Sequence, residues 1–325
     1  MIVKCWDNPN RRHFELQAIA DVEIWRESES PSYEILREKV RQIDALICLL
    51  TDRIDQDLIA QAPFLKVISQ VAVGYDNIDL TAATTRRIPV GNTPGVLTEA
   101  TADLTWALLL AAARRVVEGD RFSRSGQWKN WELDLLLGPS VTGATLGIVG
   151  MGRIGKAVAQ RGKGFDMRIL YTSRNPCSAE EERRLGATQV PLAVLLQESD
   201  FISLHLPLSD ETYHFLGKQE FAKMKPSAMV INKARGGIID PDALYQALKH
   251  RQIAGAAIDV AEPEPIPLDS PLLTLDNLII TPHIGSASRQ TRQKMAEMAI
   301  ANLIAGLKGE VLPYCANREV YDTTR

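Results

Sequence analysis

A glycine-rich run, G-M-G-R-I-G, occupies positions 150–155. It follows the apolar segment TLGIV and opens a helix-like segment. In such a strand–loop–helix the glycines permit a tight turn, a close approach of backbone to a pyrophosphate and close packing of helix on strand. The run predicts a dinucleotide site in a parallel α/β sheet, with cofactor-binding residues Gly150, Gly152 and Gly155.

Short apolar runs alternate with amphipathic segments in both halves of the chain. The first half contains three strand-like runs, DALICLL, LKVISQVAV and IPVGN, separated by helix-like segments. From Ala144 the alternation restarts with seven further runs interpreted as strands: TLGIVG, RILYTS, TQVPLAVLL, SDFISLHLP, AMVINKA, AGAAIDV and NLIITP. Strands separated by helices of this size form parallel sheets with crossovers. Because 325 residues exceed what a single core usually holds, we predict two domains.

The domain boundaries follow from two helices. Thr98 is a candidate N-cap for a long apolar helix over positions 98–123, just after Pro94 and Gly95 interrupt the strand pattern. The last amphipathic helix, over positions 288–309, belongs to no further strand–helix–strand unit, so we expect it to return to the first domain. The predicted domains are therefore 1–97 with 287–325, for substrate, and 98–286, for the dinucleotide.

Composition and charge exclude several function classes. A formal net charge of −3 without a basic stripe argues against nucleic acid as a partner. The longest apolar stretch, Leu104 to Ala113, is too short to span a membrane, and the N-terminus lacks the apolar region of a signal peptide. The cysteines have neither C-x-x-C pairing nor metal-ligand spacing, which predicts a reducing, cytoplasmic setting, no disulfide and no metal. They are Cys5, Cys48, Cys177 and Cys315.

Arg235, Glu264 and His283 are the candidate catalytic residues. Arg235 follows the run AMVINKA, so it should stand at the carboxyl edge of the sheet, where it can grip a carboxylate and polarise a carbonyl. His283 follows NLIITP, and Glu264 can orient its ring and stabilise an imidazolium that donates a proton. The alternatives are a structural ion pair and a buried structural histidine. We expect no such carboxylate partner for the other histidines, His13, His205, His214 and His250.

The strand after the glycine run predicts which dinucleotide binds. It ends in Thr172, Ser173 and Arg174 instead of the Asp or Glu that holds the ribose 2′-hydroxyl of NAD. Arg174 can form a charge-assisted contact of about 1.5 to 3 kcal/mol with a 2′-phosphate. NADP(H) is therefore the predicted cofactor, with NAD(H) possible and a solvated surface arginine as the alternative. Asp259 follows the run AGAAI and can accept from the nicotinamide carboxamide or cap a turn.

Five segments in order, VGYDNID, GMGRIG, NKARGGIID, DVAEPEP and TPHIGS, span nearly the whole chain. Together they resemble the D-isomer-specific 2-hydroxyacid dehydrogenase family, and LYTSRN and NLIAGLKGE are most similar to its glyoxylate/hydroxypyruvate reductases. The resemblance implies an α/β fold of two doubly wound parallel-sheet domains, a flavodoxin-like substrate domain and a Rossmann nucleotide-binding domain. It also implies a cleft between them that holds the active site, a homodimer and no metal.

The resemblance also implies roles for single residues. Arg235 would bind the substrate carboxylate and carbonyl, Glu264 would pair with His283, and His283 would act as the general acid. The backbone at Val73 and Gly74 would meet the substrate carboxylate. The implied cofactor contacts are Thr101 and Asp259 at the nicotinamide, Arg153 and Ile154 at the pyrophosphate, Ser173 and Arg174 at the ribose phosphate, and also Leu206, Pro207, Thr212, Ala234 and Gly285.

The predicted function is that of an NADPH-preferring reductase that converts glyoxylate to glycolate and hydroxypyruvate to D-glycerate. One alternative is a dehydrogenase for another, bulkier D-2-hydroxy acid or for a phosphite-type donor. Val73 argues against phosphite, because similar phosphite dehydrogenases carry a lysine at this position. An alternative of another class is a dinucleotide-sensing scaffold or co-repressor, which would not need the full Arg, Glu and His set.

Overall fold

The structure, a computed structural model, describes residues 2–4, 16–27 and 29–322. Cys5 and His13 lie outside these ranges. The chain forms two compact units, Met1–Leu97 with Ser288–Arg325, and Thr98–Ala287. Each unit contains one all-parallel sheet flanked by helices, which confirms the predicted α/β class.

The first unit is built on a five-stranded sheet in the order β2-β1-β3-β4-β5, which is the flavodoxin-like order. Its strands are β1 Ile2–Lys4, β2 Glu23–Trp25, β3 Ala45–Cys48, β4 Val67–Gln70 and β5 Val90–Gly91. Among its described helices are α1 Tyr33–Lys39, α2 Gln56–Ala60 and α3 Leu80–Thr85, and a 3-10 turn spans Val40–Gln42. Each of these helices begins at a side-chain cap, from Ser32, Asp55 and Asp79 respectively.

The second unit is built on a seven-stranded parallel sheet in the order β12-β11-β10-β9-β6-β7-β8. Its strands are β6 Thr145–Val149, β7 Arg168–Thr172, β8 Ala187–Gln189, β9 Phe201–Leu204, β10 Met229–Asn232, β11 Gly255–Ile258 and β12 Leu278–Ile280. Its helices are α4 Thr98–Ala113, α5 Val116–Arg124, α6 Arg153–Gly162, α7 Ala179–Leu185, α8 Leu192–Glu198, α9 Lys218–Phe221 and α10 Pro241–Lys249. Because β6 lies between β7 and β9, the strand order reverses there, as it does at the ligand-binding point of Rossmann folds.

Both faces of the second sheet are covered. Leu204 and Val230 pack with α8, α9 and α10 on one face, whereas Ile148 and Ile231 pack with α4 and α6 on the other. Successive residues of a strand point to opposite faces, so a strand buried on both sides needs an unbroken apolar run. This burial explains why the strands were recognisable as apolar runs in the sequence.

The last helix, α11 Arg289–Leu307, packs on β3 and β4 of the first unit. Ser288 caps it by accepting a hydrogen bond from the Thr291 N–H at 3.2 Å. The Ser69 hydroxyl donates to the Ala299 carbonyl at 2.8 Å. A Cβ on Gly306 would lie 2.5 Å from the Val67 side chain, so only glycine permits this close approach of helix to sheet.

Two predicted elements differ from the structure. The run TQVPLAVLL is not one strand, because Pro191 cannot donate to a sheet and instead starts helix α8. The long helix predicted from Thr98 is also wrong: α4 ends at Ala113, and Arg115 adopts a left-handed φ of 51° before α5 begins. Arg115 is held there by hydrogen bonds of 2.7 and 2.8 Å to Glu118. Thr98 is the first helical residue and not the cap.

The described residues include three free cysteines, Cys48, Cys177 and Cys315. Within the same ranges, no three His, Cys, Asp or Glu side chains converge as a metal site would require. No helix in the described part of the chain is long and apolar enough to cross a membrane.

Candidate active site

The predicted site residues of the second unit follow the carboxyl ends of five different strands. Gly150 follows β6, Arg174 follows β7, Arg235 follows β10, Glu264 follows β11 and His283 follows β12. All strands are parallel, so these positions share one edge of the sheet. Open α/β sheets bind their ligands at this edge.

The glycine loop at this edge has the geometry that a pyrophosphate needs. Gly150 has a φ of +97°, and a Cβ there would lie 2.7 Å from the His205 carbonyl oxygen. A Cβ on Gly155 would lie 2.2 Å from the Gly150 carbonyl oxygen, so the helix packs tightly on the strand. In contrast, a Cβ on Gly152 would meet no atom within 4 Å. Gly152 therefore opens onto free space at the N-terminus of α6, which suits a phosphate approaching the backbone.

Arg174 stands at the end of β7 with a neighbour that sequence analysis missed. Its side chain is 82% exposed, and Nη1 lies 3.0 Å from Oε2 of Glu211. An ion pair between exposed side chains contributes only about 0 to 1 kcal/mol, so the guanidinium can change partner. The Glu211 carboxylate nevertheless introduces negative charge beside the position where a 2′-phosphate was predicted.

His283 and Glu264 form a hydrogen-bonded pair. Nδ1 of His283 lies 2.5 Å from Oε1 of Glu264, and both side chains are partly buried. Burial alone would raise the pKa of the Glu264 carboxyl, but the hydrogen bond and charge of His283, with a smaller effect of Arg235, lower it. The carboxylate therefore stays ionised and accepts a hydrogen bond from Nδ1. Because Nδ1 is engaged, Nε2 is the ring nitrogen that can face a substrate.

Asp259 holds the turn that carries His283. Its Oδ1 accepts from the Thr281 hydroxyl at 2.6 Å and from the Ile284 N–H at 2.8 Å. Its Oδ2 accepts from the Gly285 N–H at 2.8 Å. The carboxylate therefore stabilises the turn in which His283 adopts a φ of 53°. This is the turn-capping role considered as the alternative for Asp259.

The turn that carries Arg235 lies against the loop that carries Glu264. The Asn232 side chain braces this turn by donating to the Arg235 carbonyl at 2.8 Å. A Cβ on Gly236 would lie 2.0 Å from the Ala261 carbonyl oxygen, so the two segments are in backbone contact. Through this contact the Arg235 guanidinium is close enough to contribute to the lowered pKa of Glu264. The structure thus brings Arg235, Glu264 and His283 together.

His214 also has a carboxylate partner, so the prediction that it has none was wrong. Its Nε2 lies 3.0 Å from Oε2 of Glu262, and its ring stacks on Tyr213 with centroids 4.0 Å apart. Its backbone N–H donates to the Gly237 carbonyl at 2.7 Å. His214 and Glu262 are 48 residues apart, and no local sequence signal indicated that they would meet.

Lys233 is a second residue that sequence analysis missed. It directly follows β10 and is only 8% exposed. Burial lowers the pKa of its ammonium to about 8, although the charge of Asp259 opposes this shift. Burial of the neighbouring His205 ring, together with the Lys233 charge, lowers the pKa of His205 to about 3. A lysine directly after the buried apolar strand β10 was the available signal.

The remaining predicted cofactor residues of the second unit lie at the same edge. The Thr101 hydroxyl donates to the Gly285 carbonyl at 3.3 Å, and the Thr212 hydroxyl donates to the Pro207 carbonyl at 2.6 Å. A Cβ on Gly150 would lie 3.2 Å from Cδ2 of Leu206. The others follow the strands or begin α6: Arg153, Ile154, Ser173 and Ala234.

Val73 and Gly74 lie in the first unit, after β4, at the carboxyl edge of that sheet. The Val73 carbonyl accepts from the Asn92 side chain at 2.8 Å, and the Gly74 carbonyl accepts from Gln70 at 3.3 Å. Neither backbone N–H donates to any residue within the described ranges. Two adjacent N–H groups therefore remain available for a ligand.

The chain is similar to known proteins over almost its whole length. Residues 106–285 match the model of the D-isomer specific 2-hydroxyacid dehydrogenase, NAD binding domain. A glyoxylate reductase of Korarchaeum cryptofilum is 52% identical over 96% of this chain and 94% of its own length. A glyoxylate reductase of Thermococcus litoralis is 51% identical over 94% of this chain and 93% of its own length. The crystal structure of the TT0316 protein from Thermus thermophilus matches with a TM-score of 0.90 and 45% identity, over 97% of this chain and 98% of that one.

Proposed function

Since the chain belongs to the D-isomer-specific 2-hydroxyacid dehydrogenase family of NAD(P)-dependent oxidoreductases, we propose that it reduces glyoxylate to glycolate and hydroxypyruvate to D-glycerate. The observation that carries the proposal is the His283–Glu264 hydrogen bond of 2.5 Å beside the Arg235 turn. Relatives about 50% identical over nearly the whole chain are glyoxylate reductases, which favours a small 2-oxo acid.

Each catalytic residue has one task in this reaction. Gly150, Gly152 and Gly155 would hold the dinucleotide, whose reduced nicotinamide would supply the hydride for the 2-oxo carbon. Arg235 grips the substrate carboxylate and polarises the adjacent carbonyl through its planar fork of donors. His283 donates the proton on Nε2 to the carbonyl oxygen as negative charge develops there. Glu264 accepts a hydrogen bond from Nδ1, which fixes the orientation of the ring so that Nε2 faces the substrate.

In the first unit, we propose that the backbone N–H groups of Val73 and Gly74 bind a carboxylate oxygen. The support is that both donors are without a partner among the described residues while their carbonyls are bonded. Backbone N–H groups bind anions without adding a side-chain charge. A variant at this place should therefore change the KM for the 2-oxo acid more than the affinity for the dinucleotide.

We propose that NADPH is preferred to NADH. The support is that β7 ends without a carboxylate and that Arg174 is exposed and only weakly held by Glu211. Arg174→Ala should weaken NADPH binding about tenfold, which is the low end for a charge-assisted contact, and should leave NADH binding unchanged. Glu211→Gln is the matched test of the neighbouring charge and should increase the affinity for NADPH. An equal loss with both cofactors in Arg174→Ala would exclude the assignment.

We propose a homodimer formed through the second unit. The polar stretch after α5 carries Trp131 and Leu133, which are 81% and 82% exposed, together with exposed Trp128 and Leu137. Apolar groups clustered in this way mark interaction surfaces. Leu137 also lines a cavity of about 330 Å³ at the start of β10 to β12.

Light scattering should give twice the mass of one chain, and a Trp131→Ser, Leu133→Ser variant should shift to the monomer. A wild-type monomer would exclude the dimer.

Initial rates with glyoxylate and hydroxypyruvate, each with NADPH and with NADH at neutral pH, test the reaction. Rapid turnover that favours NADPH is the expected result. Turnover with branched or aromatic 2-oxo acids in place of these two would replace the substrate assignment while keeping the reaction. No oxidation of either cofactor with any 2-oxo acid would overturn the proposal, and dinucleotide binding without turnover would favour a sensor.

A further inference from the structure

Lys233 is the one lysine or arginine in the described part of the chain that is almost fully buried. Its ammonium forms no hydrogen bond and no ion pair within 4.0 Å to any residue in those ranges. Buried charges are normally paired or bonded, because desolvation is costly. A buried lysine without a direct partner, at the ligand-binding edge of a sheet, therefore needs an explanation other than stability.

The ammonium lies beneath the turn that carries His283. Both Cε and Nζ of Lys233 lie 3.4 Å from the position that a Cβ on Gly285 would occupy. Oδ2 of Asp259 lies 3.3 Å from the same position. Thr101 contacts this point from α4, since its hydroxyl donates to the Gly285 carbonyl. Lys233 thus stands beside Thr101 and Asp259, which the family resemblance places at the nicotinamide, and beside Gly285, another implied cofactor contact.

Asp259 balances the lysine charge only in part. Both of its oxygens are engaged by the His283 turn, and neither forms an ion pair with Lys233. The other charge that acts on Lys233 is the cationic Arg235. The neighbouring His205 adds no charge, because burial and the Lys233 ammonium lower its pKa to about 3. Without Lys233, the buried carboxylate would attract any cation bound at this edge. With it, that attraction is offset.

We propose that Lys233 sets the preference between the two oxidation states of the cofactor, by weakening the binding of the oxidised nicotinamide, which is cationic, relative to the reduced one, which is neutral. The inference rests on the proposed cofactor site. It makes Lys233 a specificity-determining residue and not a catalytic one. The consequence for a reductase is that oxidised cofactor leaves readily after each turnover.

The size of the effect follows from Coulomb's law. At an effective dielectric constant of about 20, a unit charge about 8 Å away changes the affinity of a cation roughly 30-fold. The neighbouring Asp259 carboxylate reduces this influence. We therefore expect the ratio of dissociation constants, oxidised over reduced, to fall about 3- to 10-fold when the Lys233 charge is removed.

The test is to measure this ratio by titration in wild type and in Lys233→Met, which keeps the length and loses the charge. The ligands are the oxidised and reduced forms of the preferred nicotinamide dinucleotide and the matching ADP-ribose compound, which lacks nicotinamide. We expect the ratio to fall about 3- to 10-fold in Lys233→Met with the affinity for the ADP-ribose compound unchanged. Lys163→Met, an exposed lysine before β7, is the matched control and should resemble wild type.

Two results would overturn the inference. An unchanged ratio in Lys233→Met would mean that the side chain only fills space. An equal loss for all three ligands would mean that it attracts the phosphates. If wild type binds the ADP-ribose compound and neither nicotinamide dinucleotide, the proposed function itself fails, and this outcome is distinct from the other two.

Wild type alone provides a second measurement, should the variant fail to fold. The Lys233 pKa of about 8 means that its ammonium is mostly charged at about pH 7 and mostly neutral at about pH 9.5. The ratio of dissociation constants should therefore fall between these two pH values, while the ADP-ribose compound reports any general effect of pH. A constant ratio would contradict the proposal.

Discussion

Two histidine–glutamate pairs take their glutamates from the same loop after β11, and they are built differently. Glu262 and Glu264 are two residues apart, and their partners His214 and His283 have nearly equal φ values of 51° and 53°. His283 bonds through Nδ1, the nitrogen nearer its backbone, at 2.5 Å. His214 bonds through Nε2, the outer nitrogen, at 3.0 Å and stacks on Tyr213.

This difference decides which pair can catalyse proton transfer. With Nδ1 engaged, His283 keeps its outer nitrogen for a ligand, whereas His214 uses its outer nitrogen to hold the loop. Arg235 acts on the charge of Glu264, so the first pair also has a cation beside it that can bind an anion. A histidine beside a carboxylate is therefore not by itself a catalytic pair. The ring nitrogen that remains available decides its role.

The loss of the His283 side chain should have the largest effect. His283→Asn should lower kcat by about 10²- to 10⁴-fold, because the proposed general acid is lost. Asparagine tolerates the left-handed φ at both positions, so the backbone is not the cause. His214→Asn is the matched variant and should retain kcat within a few-fold. Steady-state rates at saturating cofactor measure both, and equal losses would remove the distinction between the pairs.

Arg235→Lys should lower kcat/KM by about 10²- to 10³-fold, because the charge remains and the planar fork is lost. Arg251→Lys is the control, since Arg251 forms an exposed ion pair of 2.9 Å with Asp276. It should change the rate less than twofold. An Arg235→Lys enzyme with kcat/KM close to wild type would show that the catalytic pair works without the guanidinium fork.

Glu264→Gln should lower turnover by about 10- to 100-fold, and Glu262→Gln by much less, because only Glu264 orients the proposed proton donor.

The pH dependence of the melting temperature tests the His283–Glu264 pair in a second way. The pKa of Glu264 in the folded state is lowered from 4.5, so its contribution is present above pH 4.5 and lost as the pH falls through the lower value. The melting temperature of wild type should therefore approach that of Glu264→Gln below pH 4.5. A difference that grows on acidification would contradict this sign.

Tyr213→Leu should have the smallest effect. Its stack on His214 is exposed, so we expect a loss near the low end of about 0.5 to 1.5 kcal/mol, or about 1 to 3 °C in Tm. The value of kcat should stay within twofold of wild type. Thermal unfolding and steady-state rates measure the two quantities. A fall in kcat comparable to that of His283→Asn would give the second pair a catalytic role.

Much of the candidate site was predictable because its residues follow apolar runs. Arg235 comes after β10 and His283 after β12, and the carboxyl ends of parallel strands meet at one edge. The need for glycine at Gly150 and Gly155 was also predictable, because the chain leaves no room for a Cβ at either position. The role of Gly152 toward a phosphate stays a prediction. These features depend on local spacing and on the handedness of the fold, and both can be inferred from a single sequence.

The rest depends on contacts between distant segments. The His214–Glu262 bond joins loops after β9 and β11, and no periodicity links the two residues. The helix α8 was mistaken for a strand because a short buried apolar run has no distinctive period. The burial of Lys233 was missed because its neighbours, among them Asp259 and Gly285, are distant in the chain and meet it only in the folded structure.

The most direct test of the catalytic assignment is to follow deuterium from NADPH, labelled at the position of the transferred hydride, into the product of glyoxylate reduction. Mass spectrometry should detect one deuterium at C2 of glycolate with wild type and with His214→Asn. His283→Asn, shown to bind NADPH by titration, should give almost none in the same time. Unlabelled glycolate from wild type, or undiminished transfer by His283→Asn, would contradict the account.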